Sequence, residues 1–346
     1  ALFIITFKRK KLIKLVYAGI LFLLSIPISY LILPLFHHSY LPVTFAISWL
    51  VAGLIAGLLY NLKTDTVYKI MIISLATVGL LLIDQIFGAK LIKASPLGYD
   101  TISGARFYGI GNEYMGILIG GTCTGCSALL EKTRHMVNKG RIRPLIFLIP
   151  ILTIIILAYP SLGANVGGTI SAGIAFASLF ILSEKRKIRI KNAIYIGIFA
   201  SSLVIFAFLI DSTKSIDSQS HMGQTINLVR QNGLFEISNI IKRKISMNIR
   251  LFRYTIWTRV FILSLLSMGT LLFRPVGVVR EVSRRYPVMA KGLGSGIIGS
   301  VAALLTNDSG IVAAATSIIF VALPFIMLVC DYLRKQDQNS LRGGSS

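Results

Sequence analysis

Residues 310–330, GIVAAATSIIFVALPFIMLVC, run for 21 positions without a charged side chain. Coiled as an α-helix they extend about 31 Å, close to the thickness of a bilayer's hydrocarbon core. A helix that is apolar on every face suits a lipid setting or the inside of a large assembly. The same pattern recurs upstream at 12–35, 42–60, 67–87, 113–130, 144–160, 167–183, 193–210, 254–273 and 291–306. The expected fold is therefore all-α, a polytopic transmembrane bundle of about ten spans.

Composition supports this reading. Hydrophobic residues make up 54% of the 346 positions and charged residues 14%, with a mean hydropathy of +0.75. A water-soluble domain needs more charge than that to cover its surface. The net charge of +23 would suggest nucleic acid in a soluble chain, but here the charges must first be placed relative to the bilayer. Assigned to alternate connections, 25 basic residues fall on one side and 11 on the other. The positive-inside rule makes the richer side cytoplasmic. A multi-pass protein of the plasma membrane with both ends of the chain inside is the expectation. No nucleic-acid partner is expected.

Residues 1–335 read as the transmembrane domain, with a long extracytoplasmic segment at 211–253. Residues 336–346 read as a C-terminal tail with a Gly-Gly-Ser-Ser remnant, and a domain preceding Ala1 is expected. Cys123 and Cys126 form CTGC inside an apolar run, where close helix packing explains them better than redox chemistry does.

Four outer segments hold the informative polar residues. Residues 91–116, LIKASPLGYDTISGARFYGIGNEYMG, are too rich in Gly and Pro for a spanning helix, yet largely apolar and aromatic. They read as a re-entrant or lid-like loop that brings Arg106, Tyr108, Asn112 and Glu113 to the top of the fourth span. Gly109, Gly111 and Gly116 do not signal a dinucleotide site, because no strand precedes them. Glu113 and Asp84 lie near span ends, where a carboxylate needs a partner or a cavity; an ion pair of either with Arg106 is the structural alternative. Residues 160–168, PSLGANVGG, read as a tight turn that includes Asn165, with an anion-binding nest as the functional alternative.

From residue 237 the third segment reads ISNIIKRKISMNIRLFRYT, with isoleucines on one helical face and basic residues opposite, as an amphipathic interfacial helix does. Arg230, Arg243 and Arg250 are candidates to grip phosphate, and His221 just before them is a candidate base. The fourth segment, Thr306-Asn307-Asp308-Ser309-Gly310, places Asn307 and Asp308 between two apolar runs, as capping groups or as site residues.

The strings GARFYGIGNEYMG (104–116), PSLGANVGG (160–168), SHMGQ (220–224) and LTNDSG (305–310) resemble motifs of an uncharacterised polytopic membrane protein family of Gram-positive bacteria. The resemblance covers roughly residues 70–330. It implies a role in cell-wall polysaccharide assembly and an additional N-terminal extracytoplasmic region, and it carries no catalytic assignment. The expected function is an extracytoplasmic glycan transferase, polymerase or ligase acting on a polyprenyl-(pyro)phosphate-linked glycan. Glu113, Asp308 or His221 would serve as catalytic groups, and Arg106, Tyr108, Asn112, Asn165, Arg230, Arg243, Arg250 and Asn307 as substrate-binding groups. No metal or cofactor is expected. Membrane lipid, the anionic lipid-linked substrate and other envelope-assembly proteins are the expected partners. The alternatives are a transporter or flippase of an anionic lipid-linked substrate and a scaffold subunit.

Overall fold

The computed structural model describes residues 10–36, 40–98, 109–136, 139–183, 234–273 and 275–343, with positions 191, 195, 198, 202 and 205. Among the described residues the chain is helical, with no strand. α1 (Lys10–Ile32) ends in a 3-10 turn at Leu33–Phe36, and α2 (Leu41–Asn61) packs back along it. α3 (Thr66–Ile86), the short α4 (Lys90–Ala94) and α5 (Asn112–Thr133) follow. After them come α6 (Lys139–Ala158) and α7 (Val166–Ser183). The C-terminal half contains α8 (Leu234–Tyr254), α9 (Ile256–Phe273), α10 (Gly277–Arg285), α11 (Pro287–Thr306) and α12 (Gly310–Gly343).

Seven of these helices, α1, α2, α3, α6, α7, α11 and α12, are long and apolar enough to cross a membrane. The α8–α9 pair, bent by 91° around Thr255, makes an eighth if it is taken as one span. The bundle therefore has seven to eight candidate spans. Two of the ten spans expected from sequence are outside this count, and a third, 254–273, enters it only through the α8–α9 pair. The run at 193–210 lies almost wholly outside the described residues. The run at 113–130 is helix α5, which is not among the seven helices long and apolar enough to cross a membrane.

α5 is nevertheless the centre of the bundle. Every residue from Tyr114 to Ala128 is buried, and α3, α6, α7, α11 and α12 all pack on this helix. A helix that meets only protein has no need of large apolar side chains facing lipid. Its small residues instead allow its neighbours to come close. A Cβ at Gly116 or Gly120 would collide with the backbone of α12 at Ala313 or Ser317, and one at Gly125 with Leu75 of α3. From the α11 side, a Cβ at Gly292 would strike Ser127 and one at Gly296 would strike Val321. Cys123 and Cys126 are buried free thiols inside this packing. Gly53 and Gly57 of α2 stand in contrast, with open space for 4 Å around the place a Cβ would occupy. The same helix leaves Trp49, Leu54 and Leu58 exposed.

At the end of the bundle where α3 begins and α5 finishes, carboxylates hold helix starts. The Glu131 carboxylate accepts the Val288 and Met289 N–H groups at 2.8 and 2.9 Å, capping α11 behind Pro287, while Arg134 pairs with it at 2.6 Å. The Asp65 carboxylate accepts the Tyr68 N–H at 2.8 Å at the start of α3 and pairs with Lys132 of α5. Burial raises the Asp65 carboxyl, but the Lys132 hydrogen bond, the Tyr68 amide and the Lys132 charge outweigh it and hold it below its ordinary value of 3.8.

The packing around α5 can be tested with glycine replacements. Gly120→Leu and Gly296→Leu should each destabilise the detergent-purified protein by about 1–3 kcal/mol or prevent its folding, whereas Gly53→Leu and Gly57→Leu should not. Thermal melting of the four variants checks this, and equal losses in all four would contradict the central position of α5. The Asp65–Lys132 pair is tested with pH. A carboxylate with a depressed folded pKa contributes stability that is present above its unfolded value and is lost as pH falls through the folded one. Melting temperatures measured below pH 3.8 should therefore fall less steeply in Lys132→Gln than in the parent chain. Because both partners are partly exposed, the difference should be small.

Candidate functional site

The opposite end of the bundle carries the connections 84–98, 109–112, 159–165 and 306–309. Asp84, in the last turn of α3, has both carboxylate oxygens occupied: Oδ1 accepts the Leu91 N–H at 3.0 Å and Oδ2 accepts the Ile92 N–H at 2.8 Å. Left-handed backbone at Gly88 and Ala89, with φ of 93° and 56°, turns the chain back so that α4 starts over its own carboxylate. Asp84 is thus a helix cap. Beside it, Gln85 is buried, and its Nε2 lies at a marginal 3.5 Å from the Gly109 carbonyl. Tyr114 is also buried; its hydroxyl shares a 2.6 Å hydrogen bond with Ser95 and reaches the Pro27 carbonyl at 3.4 Å.

Residues 109–111 are clamped to the turn between α6 and α7. The Ile110 N–H donates to the Gly163 carbonyl at 2.9 Å, and Asn165 Nδ2 donates to the Ile110 carbonyl at 3.2 Å. Asn165 Oδ1 accepts the Gly168 N–H at 2.8 Å and so caps α7. The approach is close enough that a Cβ on Gly109, where φ is +81°, would run into the Gly163 carbonyl. The next connection joins the same cluster. Thr306 Oγ1 donates to the Gly167 carbonyl at 3.0 Å, and buried Asn307 donates through Nδ2 to the Ala303 carbonyl at 3.0 Å. Asn248 of α8 donates through Nδ2 to the Asn307 carbonyl at 3.0 Å. A continuous set of hydrogen bonds therefore ties α6, α7, α11, α8 and the entry to α5 into one polar knot.

The structure distributes the expected site residues unevenly around this knot. Asn165 and Asn307 come together on either side of Gly167 and Gly168, and Asn165 has both amide functions engaged within the fold, so it serves here as a fastener. Asn112 opens α5, and half-buried Glu113 turns its carboxylate toward Gly111, close to the Gly98 carbonyl. Asp308 is exposed on the turn before α12. The contacts of Gly116 with Ala313 and Thr316, and of Gly120 with Ser317, show α5 and α12 running side by side in the same direction. Glu113 and Asp308 thus stand at the starts of two neighbouring parallel helices, at the same end of the bundle. Arg250 is exposed on α8, the helix whose sequence also contains Arg243. Arg106, Tyr108, His221 and Arg230 lie outside the described residues.

Asn248 belongs to the knot, and Gln85 and Tyr114 lie beside it, but none of the three is in the set expected from sequence. A glutamine in the last turn of an otherwise apolar span was the one legible signal. Among the described residues no group of three His, Cys, Asp or Glu is placed to hold a metal ion. Two apolar grooves run along α1 and α2, and none of the residues lining them belongs to the polar knot.

Comparison with protein-family models, curated proteins and solved structures finds no match.

Asn165→Ala removes the cap of α7 and the clamp on Ile110 together, at about 1 kcal/mol each. A loss of about 2 kcal/mol in thermal unfolding is expected, against about 1 kcal/mol for loss of the Asn307 hydrogen bond in Asn248→Ala. Equal melting of Asn165→Ala and the parent chain would show that the knot does not support the fold.

Proposed function

We propose that this is a cell-envelope biogenesis protein acting at the extracytoplasmic face on a polyprenyl-(pyro)phosphate-linked glycan, as a glycan transferase, polymerase or ligase. The observation that carries the reading is the placement of Glu113 and Asp308 at the starts of adjacent parallel helices, beside a turn to which arginine-bearing α8 is hydrogen-bonded. The end in question is the one with 11 of the 36 basic residues, which the positive-inside rule makes external. In this reading the chain spans the membrane ten times, through α1, α2, α3, α5, α6, α7, the run at 193–210, α9, α11 and α12. Of the stretch 91–116 expected as a lid, residues 112–116 belong to α5, and only the connection before α5 is proposed to cover the outer end.

The chemistry required is modest. A carboxylate at Glu113 or Asp308 takes the proton from an acceptor hydroxyl as its oxygen attacks the anomeric carbon. The bond from that carbon to the (pyro)phosphate oxygen breaks, and the lipid-linked phosphate leaves with the electron pair. Arginine is suited to the charge that develops there, with Arg106, Arg230, Arg243 and Arg250 proposed for it. His221 is the alternative base, and Tyr108, Asn112 and Asn307 are proposed to orient the sugar.

A transporter needs a path between the two ends. The glycine contacts at Gly116, Gly120, Gly292 and Gly296 close the centre of the bundle and count against that alternative. The test mixes the purified protein with polyprenyl-linked glycan and measures released polyprenyl phosphate. Removing a general base typically costs 10²–10⁴-fold, so Glu113→Gln or Asp308→Asn should lower release by roughly a hundredfold or more in protein that still folds. No release, together with leaflet-to-leaflet movement of the substrate in vesicles, would overturn the enzyme reading.

A further inference from the structure

α8 differs from the other long helices in what surrounds it. Its described residues pack against α9 and α12, with Leu251 on the cluster that contains Phe261 and Ile311, and with Asn248 bound to the Asn307 carbonyl. Most of its other described side chains are exposed. Ile245, Ile249 and Phe252 present one apolar edge, all between 44% and 54% accessible. Lys242, Arg250 and Arg253 are exposed on the adjoining sector, turned away from the bundle, and the sequence of the helix holds five basic residues against Glu236.

The direction of the helix indicates what this surface meets. α8 stands at 91° to α9, a helix of 18 residues with an apolar composition. If α9 runs along the membrane normal, α8 lies in the membrane plane. The corner between them carries Tyr254, 83% accessible, and partly buried Trp257. Aromatic side chains with a polar handle favour the level where headgroups meet acyl chains. At that depth the isoleucine and phenylalanine edge enters the acyl region, and Lys242, Arg250 and Arg253 reach the headgroups.

We infer that α8 is an in-plane helix that selectively binds anionic phospholipid headgroups of the leaflet it lies against. The cationic side chains supply the selectivity, the apolar edge supplies depth, and Asn248 couples the bound lipid layer to the turn that carries Asp308. This partner is the bulk anionic lipid, and Arg250 is the one side chain it would share with the substrate of the proposed function.

Trp257 provides the readout. The chain has two tryptophans, and Trp49 sits on α2 in edge contact with Phe22, so Trp49→Phe leaves Trp257 as the single emitter at the corner. The full-length Trp49→Phe protein is reconstituted into vesicles without polyprenyl glycan, and its fluorescence is quenched with brominated phosphatidylglycerol or brominated phosphatidylcholine. At low salt the apparent preference for phosphatidylglycerol should be about fivefold or more, the effect of roughly one surface charge. The triple replacement Lys242→Gln, Arg250→Gln, Arg253→Gln should bring the ratio to within about twofold of unity. The Arg250→Lys, Arg253→Lys pair should keep it, and raising salt should erode it in the parent chain. Should the triple variant fail to fold, the lysine pair and the salt series decide. A ratio of one in the parent chain, or one that ignores both salt and charge removal, overturns the inference. Since no glycan is present, neither result bears on the transferase assay.

Discussion

The enclosure of α5 by five other helices is the constraint on which the rest of the bundle depends. Once a helix is surrounded on every side, each neighbour must come close enough to exclude voids, and in a membrane-type bundle dispersion contacts rather than water expulsion hold it there. The glycines at 116, 120, 292 and 296 meet that requirement from both sides of α5. The same closeness sets the register of α12 against α5, so the relative height of Glu113 and Asp308 is a by-product of packing in the middle of the bundle.

Charge is allocated with similar strictness. Several carboxylates have a partner that a low-dielectric setting demands: Asp65 and Glu131 cap helices at one end, and Asp84 caps α4 at the other. Each helix start carries unsatisfied N–H groups and a partial positive charge, so an acid placed there is stabilised without needing a cavity. Asn165 does the same for α7 as a neutral amide. What distinguishes Glu113 and Asp308 is their place at the head of the most enclosed pair of helices, next to the only connection that α8 grips among the described residues.

α8 links this end of the protein to its surroundings. A helix that runs along the membrane rather than through it reports on the lipid layer, and the hydrogen bond from Asn248 to the Asn307 carbonyl is short and direct. If α8 binds lipid as inferred, lipid composition and the geometry of the 306–310 turn are connected through this bond. Under the proposed function, the bulk lipid and the substrate would then act on one small set of residues.

Hydropathy by itself determined that the chain is helical and membrane-type, where most helices lie, and that α8 is two-faced, because lipid contact imposes its own composition on each exposed helix. It placed a helix at 113–130, where α5 lies, but not that helix's enclosure by its neighbours, because close helix contacts leave no mark of their own in hydropathy. The charge count predicts an orientation for the bundle but does not say which acids cap helices. Asp84 reaches amides seven and eight residues ahead only because the chain reverses at Gly88 and Ala89, a contact that no helical or strand period encodes. The meeting of Asn165 with Ile110 spans 55 positions, and that of Asn248 with Asn307 spans 59. Those distances close only when the helices between them have packed, and so tertiary structure alone decided which polar residues fasten the fold and at what height the remaining ones stand.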